Sequence, residues 1–167
     1  MATDTMDARS TSIHGEMYCQ IFGTKEFFVE AYPIARKADC YQVLEGFVVR
    51  YGAPDLLIFD GSQEQGGRKT KFQALLRKYK ITPKVTEPNR PNQNPAESVI
   101  RELCKKWYRT IFRTNCPQRL WSYGLPHVVA IMNHTASHAG KLNGRTPMEY
   151  VTGETPDISE YLDFGFF

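Results

Sequence analysis

Four apolar residues in succession, Leu56 to Phe59, lead directly into Asp60 and Gly61. A strand that is apolar at every position is typical of one buried on both faces, because each face packs against another layer. Stretches with apolar residues at helical spacing lie on either side of this run, at 40–51 and 72–79. The run therefore predicts the central strand of an α/β sheet that is covered by helices.

The rest of the chain predicts strands first and helices afterwards. Alternating apolar residues predict a hairpin whose strands run from Glu16 to Phe22 and from Glu26 to Tyr32, around a turn at 23–25. A further strand is predicted from Thr82 to Thr86, and from Pro95 onward the spacing is helical. The expected order is a hairpin, a helix, the central strand, a helix, an edge strand and then helices, which describes a mixed sheet flanked by helices.

Two apolar stripes after Pro95 are expected to face the core. They are Ile100, Leu103, Trp107 and Ile111, followed by Leu120, Gly124, Val128 and Ile131. Pro126 has no amide hydrogen for a helix interior, so we expect a kink or a break in the second helix there. Thr146 and Glu149 form a capping box around a proline, and Gly153 ends that element.

Length and composition restrict the class of protein more than its chemistry. The 167 residues are expected to form one domain, and a net charge of +3 is too small to identify a partner. The longest uninterrupted apolar run, Val128 to Met132, is too short to span a bilayer, and no secretory signal opens the chain. The four cysteines include no CxxC pair. We therefore expect reduced thiols in a soluble, intracellular protein with no membrane partner.

Two acidic residues, Asp60 and Glu97, each have two interpretations. A carboxylate directly after a buried strand is costly without a partner, and open α/β sheets bind ligands at the carboxyl ends of their strands. Asp60 equally suits an ordinary Asp-Gly turn. Glu97 lies at the third position of a helix that Asn94 and Pro95 begin, so it suits either a cap or a ligand.

Cationic residues recur along the helix that Glu97 opens. They are Arg101, Lys105, Arg109 and Arg113 at every fourth position, with Lys106 beside them. Pairing between residues four apart explains such a face without any function. The functional interpretation is that these cations follow a phosphate backbone while the carboxylate reaches the scissile bond.

The N-terminal segment offers a third acid. Asp4 and Asp7 are three residues apart, so in a strand they face opposite sides of the sheet and only one of them can join Asp60 and Glu97. Composition does not choose between the two. Three carboxylates brought together at strand ends and a helix start are a donor set that suits a pair of divalent metal ions.

Three segments of the chain also carry a family resemblance. They are Asp4-Thr5-Met6, the Leu-Ile-Phe-Asp run that ends at Asp60, and Asn92-Gln93-Asn94-Pro95-Ala96-Glu97. Together they resemble the integrase catalytic core of LTR retrotransposons, and of the copia-type elements in particular. The segments 144–149 and 152–157 resemble the sequence that follows this core in copia-type polyproteins. The chain departs from the pattern at residues 61–64, by one additional residue between the last two acids, and by the short stretch before Asp4.

The resemblance implies an α/β, ribonuclease-H-like fold with a five-stranded mixed sheet flanked by helices. It would occupy 1–167 as a single catalytic core domain, with a C-terminal helical extension at about 115–167. The resemblance assigns Asp4, Asp60 and Glu97 as catalytic residues and as ligands of two Mg²⁺ or Mn²⁺ ions, and it selects Asp4 over Asp7. It assigns DNA contacts to five residues, Asn94, Arg101, Lys105, Lys106 and Arg109.

The implied activity is polynucleotidyl transfer, in which an Mg²⁺-dependent strand transferase and endonuclease processes DNA 3′ ends and joins them to target DNA. The implied partners are element ends, target DNA and further copies of the chain in a homodimer or higher oligomer, in the nucleus or in a retroelement particle. Two alternatives keep the fold. One is a catalytically inactive or repurposed nucleic-acid-binding or oligomerising module from a degenerate retroelement, and the other is a ribonuclease H proper.

Overall fold

The computed structural model describes residues 1–67, 70–86, 95–138 and 140–159. Within these ranges five strands are present: β1 Ala2–Asp7, β2 Tyr18–Gly23, β3 Val29–Ile34, β4 Leu56–Phe59 and β5 Thr82–Val85. The same ranges contain six α-helices: α1 Cys40–Tyr51, α2 Gln63–Gly66, α3 Lys71–Lys78, α4 Pro95–Thr114, α5 Trp121–His134 and α6 Pro147–Thr152. Short 3₁₀ turns at Lys37–Asp39 and Gln118–Leu120 lead into α1 and α5.

The five strands form one mixed sheet in the order β3-β2-β1-β4-β5. The strands β1, β2 and β3 pair antiparallel, whereas β4 lies parallel to both β1 and β5. This confirms the predicted five-stranded mixed sheet flanked by helices. The hairpin appears as β2 and β3, and the strand predicted at Thr82–Thr86 appears as the edge strand β5.

The sheet separates two hydrophobic cores. Ile21 packs with α4 and α5 on one face, and its neighbour Phe22 packs with α1 and α3 on the other. This follows from the alternation of side chains along a strand. On the first face α4 contributes Val99, Leu103 and Trp107, which recur every four residues and are almost fully buried.

β4 is a central strand, as predicted, but the prediction that it is buried on both faces is wrong. Leu57 and Phe59 are fully buried against the α1 and α3 layer. Leu56, in contrast, is 38% exposed, and Ile58 is only half-buried. The reason is that α4 packs mainly over β1 and β2, so the corresponding face of β4 is less covered. This open face carries the acidic residues considered below.

The helix α5 differs from its prediction in two ways. It continues through Pro126 from Trp121 to His134, so the predicted break is absent. Its buried stripe is Trp121, Leu125, Val128 and Met132, and not the predicted stripe, because Ile131 is 45% exposed. Gly124 instead lies against α4: a Cβ atom there would be 2.0 Å from Cζ3 of Trp107. The glycine thus permits close packing of α5 on α4. From its spacing in the sequence alone, Gly124 looks like a core position.

The predicted capping box and the predicted end of α6 are confirmed. The Thr146 hydroxyl accepts the Glu149 amide at 3.0 Å in the predicted capping box, and Gly153 ends α6 with a left-handed φ of 79°. The four cysteines are free. Across the described ranges, no helix combines the length and apolar character needed to cross a membrane.

Candidate active site

Asp4 lies in β1, and Asp60 directly follows the parallel strand β4. The register pairs Ala2 of β1 with Ile58 of β4, and each acid lies two residues further along the chain. Phe59 faces the α1 and α3 layer, so alternation turns Asp60 towards the face that α4 covers, and Asp4 shares that face with its partner Ile21 on β2. Because adjacent strands lie about 4.8 Å apart, the two acids are neighbours.

Glu97 comes to the same face from the first turn of α4. The helix is held over β1 and β2 by its buried stripe, and Ala96, immediately before Glu97, is fully buried. Glu97 itself is half-buried. Helix packing on the sheet therefore contributes to its position, and the predicted cap with Asn94 lies outside the described residues.

The charges of Asp60 and Glu97 both act on Asp4. Burial raises the pKa of Asp4 above its ordinary value of 3.8, and the negative charges of Asp60 and Glu97 raise it further. The Thr5 amide, which donates to Asp4 Oδ1 at 2.7 Å, acts in the opposite direction. The structure thus places Asp60 and Glu97 within electrostatic reach of Asp4.

Asp7 lies apart from this group. It is exposed at the end of β1, three residues from Asp4 and therefore on the other face of the strand. Its Oδ1 accepts the Arg9 backbone amide at 2.8 Å, which stabilises the turn that follows. Asp7 thus has a local structural role.

Asp60 forms the predicted turn, and its role as a ligand stays a prediction. Its Oδ1 accepts the Ser62 amide at 3.2 Å, as in an Asp-Gly turn. A carboxylate has about four acceptor positions, so this one bond leaves capacity for a ligand. The turn also fixes the direction in which the Asp60 carboxylate leaves the strand.

The converging donors are carboxylate oxygens, which are the ligands that Mg²⁺ and other hard divalent cations prefer. A cation would also relieve the repulsion that raises the pKa of Asp4. In the part of the chain that the structure describes, no three His, Cys, Asp or Glu side chains already form a group that could hold a metal ion. The donor set fits a divalent cation in chemistry and charge.

The cationic side chains predicted to contact DNA extend from this site along α4. Arg101, Lys105 and Arg109 are exposed and Lys106 is half-buried. Lys105 Nζ lies 3.8 Å from Glu102 Oε2, a loose pair three residues apart. Asn94, the fifth predicted contact, lies outside the described residues.

Buried polar residues that the sequence analysis missed lie near Asp4, in the sheet and in α2. Thr3, Gln20 and Gln65 are each at most 1% exposed. Thr5 Oγ1 donates to Gln20 Oε1 at 2.6 Å, and Gln65 Nε2 donates to Thr5 Oγ1 at 3.5 Å. The signal available in the sequence was Gln20 itself, a large polar residue between Cys19 and Ile21 in a buried strand.

Comparisons with known proteins identify the fold. No protein-family profile matches the chain, and no curated protein matches its sequence. The catalytic core domain of BIV integrase is similar in structure, with a TM-score of 0.64 and 18% identity over 98% of this chain and 96% of that one. A chain of the simian T-cell lymphotropic virus intasome in complex with PP2A regulatory subunit B56 gamma matches with a TM-score of 0.71 and 14% identity. That match covers 93% of this chain and 55% of that chain. At such low identity the likeness shows the fold alone, which is that of retroviral integrase catalytic cores.

Proposed function

We propose that this chain is the catalytic core of a polynucleotidyl transferase that processes DNA 3′ ends and joins them to target DNA. The observation that carries the proposal is the convergence of Asp4, Asp60 and Glu97 from two parallel strands and a helix on one face of the sheet. The fold supports it, because the solved chains similar in structure include the catalytic core domain of BIV integrase. The proposal extends to an origin in a copia-type retrotransposon, on the residues quoted above for that resemblance.

The three carboxylates would hold two divalent ions, Mg²⁺ or Mn²⁺. When bound, such ions make a water or a 3′-hydroxyl more acidic and stabilise charge on the leaving oxygen. The protein's own contribution is geometric. β1 and β4 hold Asp4 and Asp60 level with each other, and α4 brings Glu97 across from the adjoining layer.

The DNA backbone would lie along α4. Arg101, Lys105 and Arg109 are exposed at intervals of four residues after Glu97, so a strand that reaches the carboxylates passes these cations. Lys106 and Asn94 are assigned to the same contact surface. Element ends and target DNA are the proposed partners, in a homodimer or higher oligomer within the nucleus or a retroelement particle.

The proposal is tested with labelled DNA ends and Mn²⁺, by measuring strand cleavage and joining. We expect activity in the parent and its loss in Glu97→Gln, with DNA affinity retained, because the substitution removes a metal ligand and leaves the cations in place. Glu102→Gln is the matched control on the same helix and should remain active. Cleavage by Glu97→Gln would refute the assigned role, and DNA binding without cleavage by the parent would indicate the inactive nucleic-acid-binding module instead.

A further inference from the structure

The register between β1 and β4 ends before the two acids. The register between β1 and β4 consists of the pair Ala2 and Ile58, and the Ile58 amide donates to the Met1 carbonyl at 3.0 Å. Both acids lie beyond this pairing. Hydrogen bonds outside the ladder can therefore add to the register in fixing their separation.

A continuous hydrogen-bonded route connects the two carboxylates. Asp60 Oδ1 accepts the Ser62 amide at 3.2 Å, and the Ser62 carbonyl accepts the Gln65 amide at 3.2 Å. The Gln65 side chain then donates to Thr5 Oγ1 at 3.5 Å, and the Thr5 amide donates to Asp4 Oδ1 at 2.7 Å. Gln65 is the residue at which this route crosses from the turn after β4 to β1.

The hydrogen bonds that connect Thr3, Gln20, Thr5 and Gln65 form a buried network. The Ile21 carbonyl at one end of it determines which group donates in each bond. The Ile21 carbonyl can only accept, so Thr3 Oγ1 donates to it at 2.7 Å and accepts from Gln20 Nε2 at 2.6 Å. Gln20 therefore presents its oxygen to Thr5, whose hydroxyl donates its proton there at 2.6 Å. Thr5 has only lone pairs left, so Gln65 must present its NH₂ group to Thr5.

This orientation of the Gln65 amide leaves its side-chain oxygen unsatisfied. Its Oε1 is buried and has no hydrogen-bond partner among the described residues. An unsatisfied buried acceptor destabilises a fold, and an apolar side chain of similar length would avoid it. Of the two polar groups of the Gln65 amide, the donor that reaches Thr5 is therefore the one with a partner among the described residues.

We propose that Gln65 is a positioning residue that holds Asp4 and Asp60 at the separation needed to bind divalent metal, acting through Thr5 and through the Ser62 turn. The metal-binding part rests on the proposed function. The positional part rests only on the hydrogen bonds above, so the two are tested separately.

The first test measures Mn²⁺ affinity by calorimetry in Gln65→Met, which retains length and removes both polar atoms. We expect the Mn²⁺ dissociation constant to rise about 10- to 100-fold, as is typical when an outer-shell partner of a metal ligand is lost, with no loss of thermal stability. Ser122→Ala is the matched control, because it removes another buried side-chain oxygen without a partner, from α5. That variant should bind Mn²⁺ like the parent, and Asp60→Asn should abolish binding.

A second pair of variants tests the route through Thr5. Thr5→Ser keeps the hydroxyl and should retain Mn²⁺ affinity, whereas Thr5→Val should reproduce the loss seen in Gln65→Met. The double variant of Gln65→Met and Thr5→Val should be no weaker than either single variant, because both remove the same link.

The positional part is measured without metal, by hydrogen exchange at single amides. In Gln65→Met the Thr5 and Ser62 amides should exchange faster, while the Phe22 amide in the core remains protected as in the parent. A parent that does not bind Mn²⁺ would refute the proposed function, and hydrogen exchange would still decide the positional part. Unchanged exchange at Thr5 and Ser62, or unchanged Mn²⁺ affinity in a protein that binds it, would overturn the proposal. A uniform loss of protection with lowered stability would do the same, because it indicates a purely structural role.

Discussion

Asp4 and Asp60 lie level with each other across β1 and β4, each two residues beyond the paired Ala2 and Ile58. They are distant in sequence, yet the parallel register makes them neighbours on the face that α4 covers. Because side chains alternate along a strand, a shift of one residue in this register would turn one of the acids to the opposite face. The candidate site therefore depends on the register of one strand pair.

Mn²⁺ should stabilise the parent protein against thermal unfolding and should leave Asp60→Asn unaffected. A ligand at 100 times its dissociation constant stabilises by about 2.7 kcal/mol, which for a chain of this size raises Tm by roughly 5–10 °C. The measurement is circular dichroism during heating at increasing Mn²⁺. Asp7→Asn is the control and should respond like the parent, since Asp7 lies on the other face. Equal stabilisation of Asp60→Asn would show that Mn²⁺ binds elsewhere.

The double substitution Arg101→Ala and Lys105→Ala should weaken DNA binding and reduce its dependence on salt. Each lost phosphate contact lowers the slope of log K against log salt by about 0.9, so two lower it by about 1.8. Fluorescence anisotropy of a labelled duplex across a salt series measures this slope. The matched control, Arg77→Ala with Lys80→Ala, removes the same charge near α3 on the opposite face. An equal effect of both pairs would indicate that binding follows net charge and not the α4 surface.

Asp4→Asn should stabilise the metal-free protein at neutral pH. Burial, with the charges of Asp60 and Glu97, raises the pKa of Asp4 in the folded protein above its ordinary value of 3.8. The folded state therefore binds this proton more readily than the unfolded chain, so stability falls as pH rises from 3.8 through the folded-state pKa. Asparagine removes this cost and keeps the acceptor for the Thr5 amide.

Urea unfolding at a series of pH values checks this prediction for Asp4. The advantage of Asp4→Asn over the parent should be largest at neutral pH and should shrink as the pH approaches 3.8. Asp7→Asn, an equal change of charge outside the site, controls for net charge. A variant that is less stable than the parent at neutral pH would contradict the electrostatic argument.

Gly124→Ala should destabilise the fold, because the new methyl group would lie 2.0 Å from Trp107 Cζ3 and 2.1 Å from its Cη2. Overpacking of this kind costs about 1–3 kcal/mol, and Trp107→Phe in the same chain should recover part of the loss. Gly46→Ala, in α1, is the control. A Cβ atom there meets no heavy atom within 4 Å, so this change should stabilise the helix by about 0.5–1 kcal/mol. Urea unfolding measures both, and a neutral Gly124→Ala would contradict the close packing of α4 on α5.

Elements with short-range signals were predictable from the sequence. The hairpin of β2 and β3 follows from alternating apolar residues, and α6 follows from its capping box, both of which depend on neighbours in the chain. The predicted buried stripe of α5 differs from the observed one. Gly124 has the helical spacing of a core residue, but in the structure it is the site where Trp107 packs closely. Which face of a helix is buried depends on the partner that packs there, and the sequence does not contain that partner's position.

The candidate acids Asp60 and Glu97 and the cationic face of α4 were determined by the sequence, because residue type and spacing along the chain indicate them. The choice between Asp4 and Asp7 from the residues themselves required the tertiary structure. Only the register of β1 against β4, and the packing of α4 across them, decide which carboxylates meet. The role of Gln65 likewise emerges only in three dimensions, since its hydrogen bond crosses between segments that are far apart in the chain. Electrostatic and hydrogen-bonding effects depend on distance in space, and distance in space between remote segments is set by the fold.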